Sequence, residues 1–103
     1  MRGDITLGSR LAADLRTTYS LAGTDLRVCV ERAVYPYSAK RGHRLFSCFT
    51  AVSGKHEQRF CGDGESFADF RGYRISVGLR KPRFTESCDV WLEIEPVPPP
   101  RAI

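Results

Sequence analysis

The strongest constraint on this chain is a symmetry about one dipeptide. Gly54-Lys55 separates two strand-like runs, residues 44–53 and 56–62, with Cys48 six positions before Gly54 and Cys61 six positions after Lys55. Glycine at the first central position of a two-residue loop suits a type II′ turn, whose twist matches that of the strands it joins. Residues equidistant from such a turn face each other. Ser53 with His56 is then a hydrogen-bonded pair, and alternation outward makes Cys48 with Cys61 a non-hydrogen-bonded pair, the class whose Cα atoms approach to about 4.5 Å. A disulfide spans that distance. The same register sets Phe49 opposite Phe60 on the other face of the ribbon, and aromatic cross-strand pairs stabilise sheets.

Four cysteines, Cys29, Cys48, Cys61 and Cys88, are an even number in a chain of 103 residues, the usage of a small disulfide-stapled domain. No Cys-x-x-Cys knuckle and no closely spaced histidine pair is present, so the spacing argues against a zinc site and no metal or cofactor is expected. Elimination joins Cys29 to Cys88. That bond would enclose about 60 residues and contribute roughly 4 kcal/mol in the chain-entropy model. The apolar phase raises an objection: Leu26, Val28 and Val30 alternate against Cys29, whereas Cys88 shares parity with Val90, Leu92 and Ile94. A bulge, or a bond between two sheets at a strand end, would reconcile the two.

Period-two alternation continues in the first half of residues 26–34 and in residues 73–80 and 90–95, with breakers at Tyr35-Pro36-Tyr37-Ser38, Gly62-Asp63-Gly64 and Lys81-Pro82-Arg83. With the hairpin this makes five strands. The first 25 residues admit two readings. Ser9 could cap a helix bearing Leu11, Leu15 and Tyr19, or residues 4–7 and 17–21 could be two further strands. The expected fold is therefore mostly β: a small antiparallel sandwich or barrel-like sheet of five to seven strands, with or without one short N-terminal helix, stapled by disulfides. Residues 1–95 form the domain and residues 96–103 a Pro-rich tail.

Sixteen Lys and Arg against twelve Asp and Glu give a formal charge of +4, a modest excess that steers acidic partners without the dense field of a dedicated nucleic-acid binder. The basic residues cluster between positions 40 and 83: Lys40, Arg41, His43 and Arg44; Lys55, His56 and Arg59; Arg71 and Arg74; Arg80, Lys81 and Arg83. No apolar run is long enough to span a membrane or to serve as a signal peptide. The cysteines then predict a mature secreted or periplasmic domain with Met1 set in front of it.

Catalytic patterns are thin. His43 and His56 lie in basic neighbourhoods, which disfavour the imidazolium and a general-base role. Glu57, Arg59 and His56 are the nearest approach to a ribonuclease-like set, but alternation points His56 away from the other two. Phe67 and Tyr73 fit the apolar phase of core strands, whereas Trp91 falls on the polar parity with Glu93 and Glu95, and Phe84 follows Arg83 in a loop. The expected function is a non-catalytic binding domain recognising another macromolecule, above all a protein with an acidic patch, as inhibitors, immunity proteins and effectors do. Its basic, aromatic-bearing surface would comprise Lys55, His56, Arg59, Arg80, Lys81, Arg83, Phe84 and Trp91. The alternative is a ribonuclease-like or polysaccharide-binding domain that uses the same face on nucleic acid or an anionic polysaccharide.

Overall fold

The computed structural model describes residues 2–35, 37–40, 42–63, 66–81 and 89–97. Within them the chain forms eleven strands, β1 (Arg2–Ile5), β2 (Arg10–Ala13), β3 (Thr18–Leu21), β4 (Arg27–Val34), β5 (Tyr37–Ser38), β6 (Gly42–His43), β7 (Phe46–Ser53), β8 (His56–Asp63), β9 (Ser66–Phe70), β10 (Tyr73–Lys81) and β11 (Asp89–Pro96), with no helix among the described residues. Five of them make one sheet in the order β1-β3-β4-β7-β8, four make a second in the order β2-β11-β10-β9, and β5 with β6 is a short separate ribbon. Neither large sheet closes on itself, so the barrel-like alternative does not form.

The β7–β8 hairpin has the expected register: Cys48 pairs with Cys61, Phe49 with Phe60 and Ser53 with His56. Gly54 takes a φ of 58°, the left-handed value that the first central residue of a type II′ turn requires. The Cys48–Cys61 disulfide is formed across a Cα separation of 4.1 Å. Phe49 and Phe60 meet at a tilt of 31° with ring centroids 5.2 Å apart, and Phe60 meets Phe70 edge-on at 6.3 Å, linking β8 to β9.

Of the two readings of the first 25 residues the strands form and the helix does not. Residues 10–13 and 18–21 are β2 and β3, and they belong to different sheets. Between them Arg16 adopts a φ of 63°, outside the right-handed helical region, and its N–H donates to the Val30 carbonyl at 2.8 Å. The four-residue spacing of Leu11, Leu15 and Tyr19 arises because each packs on the core from a separate element, not along one helical face.

Both sheets contribute to one buried cluster. Val28, Val30, Phe49 and Ala51 come from the first, and Ile75, Val77, Val90, Leu92 and Ile94 from the second. Strand β4 reaches the core in two phases because its register to β7 shifts between Val30 and Arg32. Glu31 is the extra residue, and the inward position passes from Val30 to Ala33.

Cys29 is a free thiol, against the expected bond to Cys88, which lies outside the described residues. The alternation that places Val28 and Val30 in the core turns Cys29 to the outer face of the first sheet. At the C-terminal end β11 runs to Pro96, and the Val97 N–H donates to the Gly72 carbonyl at 3.0 Å.

Candidate interaction surfaces

Period-two geometry fixes what the four-stranded sheet shows on its outer face. With Val90, Leu92 and Ile94 buried, Trp91, Glu93 and Glu95 point outward on β11, and the register sets Trp91 beside Gly78 and Ala12, and Glu93 beside Ser76 and Arg10. The indole lies across bare backbone: a Cβ built on Gly78 would stand 2.2 Å from Trp91 Cζ2. On its other side the Arg10 guanidinium sits 4.0 Å from the ring centroid, and Arg10 Nε is 3.3 Å from Glu93 Oε1. This arrangement satisfies the cation twice, by ring face and by carboxylate.

A second arginine repeats the pattern at the β9 edge. Arg74 donates to both Asp69 carboxylate oxygens, at 2.9 and 3.4 Å, and stacks 4.4 Å from the centre of the Phe67 ring. The bond from Arg74 holds the Asp69 carboxyl below its usual range and pushes the guanidinium further up. Glu95 moves the other way: the hydrogen bond its protonated form makes with Glu93, reinforced by repulsion between the two charges, raises its carboxyl. Phe67 itself is 61 % exposed. Its expected place in the core is taken by Phe70 and Ala68, which lie on the opposite parity of the same strand.

The outer face of the five-stranded sheet carries a different set. Thr18, Cys29 and Thr50 form one row across three strands, and with Arg27, Glu31 and Glu57 they border a depression of about 360 Å³. Glu31 accepts a hydrogen bond from the Thr50 hydroxyl and lies 3.6 Å from Arg59 Nε. The Cys29 thiol is pushed up by burial, against a smaller lowering by the hydrogen bond with Thr18.

The residues expected to form one basic surface lie apart. Lys55 and His56 are exposed at the tip of the β7–β8 hairpin, while Arg59 projects from the outer face of the first sheet. Arg80 is exposed at the end of β10 where the register to β11 shifts, next to Lys81, the last residue of that strand. That strand belongs to the second sheet, whereas Lys55 lies in the hairpin turn of the first. Trp91 belongs to the outer face of the second sheet. Arg83 and Phe84 lie outside the described residues. His56 faces away from Glu57 and Arg59, as the alternation requires.

Arg10, Arg74, Phe67 and Gly78 were not expected at this surface. The signal for Gly78 is present in the sequence, as a lone glycine inside an alternating strand marks a close approach, but its partner follows only from the β10–β11 register. Set against known protein families, curated proteins and solved structures, the chain matches none. The chemistry of these surfaces therefore carries the functional reading.

Proposed function

We propose that this chain is a non-catalytic, protein-binding domain, built as a two-sheet sandwich, whose recognition surface is the outer face of the four-stranded sheet. The observation that carries this reading is Phe67, a large apolar side chain 61 % exposed on the outer sheet face, flanked by the stacked Arg74 and, further across the sheet, by the Arg10–Trp91 pair. Tryptophan, phenylalanine and arginine are the residues that interfaces concentrate. All three are held by neighbours, so little side-chain freedom remains to be lost on binding. The face presents Arg10 and Arg74 against Asp69, Glu93 and Glu95, which favours a partner of alternating charge over the purely acidic one that net charge suggests. The Cys48–Cys61 bond is consistent with an oxidising environment, and a secreted or periplasmic location completes the proposal. The ribonuclease-like alternative has less support, since its histidine does not converge with Glu57 and Arg59.

The test is affinity capture with the intact chain from secreted and periplasmic protein fractions, repeated with Phe67→Ser, Trp91→Ala and Lys55→Glu. The reading expects one partner whose affinity falls at least about tenfold in the first two variants and is unchanged in the third. A partner retained equally by Phe67→Ser and Trp91→Ala overturns the surface assignment.

A further inference from the structure

Among the described residues, strand β8 has no strand neighbour on one side of its backbone. The five-stranded sheet ends on it, and its pairing with β7 runs from His56 to Asp63 without a register shift. Cys48 and Cys61, with Cα atoms 4.1 Å apart, have the close spacing of a non-hydrogen-bonded pair, so the N–H and C=O of Cys61 point away from β7. With a period of two, those of Glu57 and Arg59 do the same. Sheet edges are normally blunted by shortness, charged side chains, proline, a bulge or a covering segment, and of these β8 has only its charges, Glu57, Arg59 and Asp63. The other edge strands β1, β2 and β9 have four, four and five residues. β8 has eight, with neither proline nor bulge. Along its second half β9 comes near without pairing to it, Phe67 and Ala68 sharing a cleft with Arg59, Phe60, Cys61 and Gly62.

Charge and backbone phase together select what fits this edge. We propose that β8 pairs antiparallel with β8 of a second copy of this chain, about a two-fold axis at Gln58, so that Glu57 of each copy faces Arg59 of the other. An antiparallel partner must bring outward-pointing residues opposite one another, which leaves few two-fold registers. An axis at Glu57 or at Arg59 would set like charges face to face, and one at Phe60 would oppose Glu57 to Asp63. An axis at Cys61 would draw the second strand onto the end that β9 flanks. At Gln58 the register makes two opposite-charge pairs and places Phe60 across from His56 of the other copy.

The side chains are poised for it. Among the described residues Glu57 has no ion pair, whereas Arg59 lies 3.6 Å from Glu31 on the same outer face. In the dimer each Arg59 stands between two carboxylates, and a guanidinium offers five donors to serve both. The main-chain bonds of Glu57 and Arg59 supply the attraction, and the charges fix the register. This dimer uses the first sheet's edge and does not depend on the protein-binding reading of the second sheet's face.

Sedimentation of the intact chain over a concentration series, with a non-reducing gel to exclude disulfide-linked species, tests the proposal. A reversible monomer–dimer equilibrium is expected. Glu57→Arg and Arg59→Glu should each weaken it at least about tenfold, because like charges then lie opposite, and the double charge swap should restore it to within about threefold. In the unsubstituted chain, exchange of the Glu57 and Arg59 amide hydrogens should slow as concentration rises, a measurement that stands even if a variant folds poorly. A chain that stays monomeric up to about 1 mM, a dimer indifferent to both single reversals, a swap that restores nothing, or Glu57 and Arg59 amides unprotected in the dimer would each overturn it.

Discussion

The Trp91 indole occupies the space that a side chain at position 78 would fill, with Trp91 Cζ2 and Cε2 only 2.2 and 2.3 Å from where the Cβ would be. The two residues pair directly across β10 and β11, and Arg10 closes the ring from above. Gly78→Ala must therefore lift the indole, and overpacking of this kind costs about 1–3 kcal/mol. Trp91→Ala removes the obstacle. Chemical denaturation of the two single variants and the double variant should show the double to be more stable than the sum of the singles implies. Additive losses would mean that the ring moves aside freely.

The disulfide joins residues 13 positions apart, and a loop of that size is worth about 3 kcal/mol in the chain-entropy model. Replacing both Cys48 and Cys61 by alanine should lower the urea midpoint accordingly, with the slope of the transition little changed. An unmoved midpoint would show that the hairpin register holds without the bond, through the Phe49–Phe60 and Ser53–His56 pairs alone.

The hairpin was legible because everything that determines it is local: a turn glycine, two cysteines and two phenylalanines, all counted outward from one dipeptide. The Glu31 bulge left no such mark, since an extra residue within a run of charges looks like the end of the alternation, and the phase of residues 31–34 could not be read through it. Residues 66–70 were ambiguous for another reason. Phe67, Ala68 and Phe70 put apolar groups on both parities, and only pairing with β10 decides that Phe70 is buried and Phe67 exposed. The N-terminal strands follow from packing against both sheets, which outweighs a helical spacing of three apolar residues. The recognition face needs two long-range registers, β2 with β11 and β9 with β10, before Arg10 meets Trp91 or Arg74 meets Phe67. Part of it, the outward parity of Trp91, was legible from β11 alone.

Two carboxylates on that face should respond to pH in opposite senses. Glu95 has its folded-state pKa raised, first by the hydrogen bond with Glu93 and then by its charge. A raised acid favours the fold below its unfolded value, about 4.3, and that contribution is lost as pH rises through the folded value. Glu95→Gln should therefore raise the melting temperature at pH 7 and give no gain at pH 3. Asp69 is lowered by Arg74, so its contribution is present above about 3.9 and is lost as pH falls through the lowered folded value. Asp69→Asn should lower the melting temperature at pH 7, with the deficit vanishing in strong acid. Parallel pH profiles for the two variants would refute the pairing of Glu95 with Glu93 and of Asp69 with Arg74.

Arg71 and Gly72 form the two-residue turn between β9 and β10, with φ values of 51° and 85° and Phe70 paired to Tyr73 on either side. Positive φ at both central positions is the type I′ turn, which asparagine followed by glycine fills best, because the Cβ of any other residue crowds the following carbonyl oxygen without the local hydrogen bond that asparagine's side chain can make. Arg71 is exposed, so its replacement leaves the core intact. Arg71→Asn should stabilise the fold by about 0.5–1 kcal/mol, and Arg71→Val should destabilise it, because a β-branched residue tolerates this φ least. Both are read from urea midpoints at matched slopes. If Arg71→Asn loses stability, the guanidinium must contribute more to the hairpin than the backbone strain costs, and the turn would then be held by its side chain and not by its conformation.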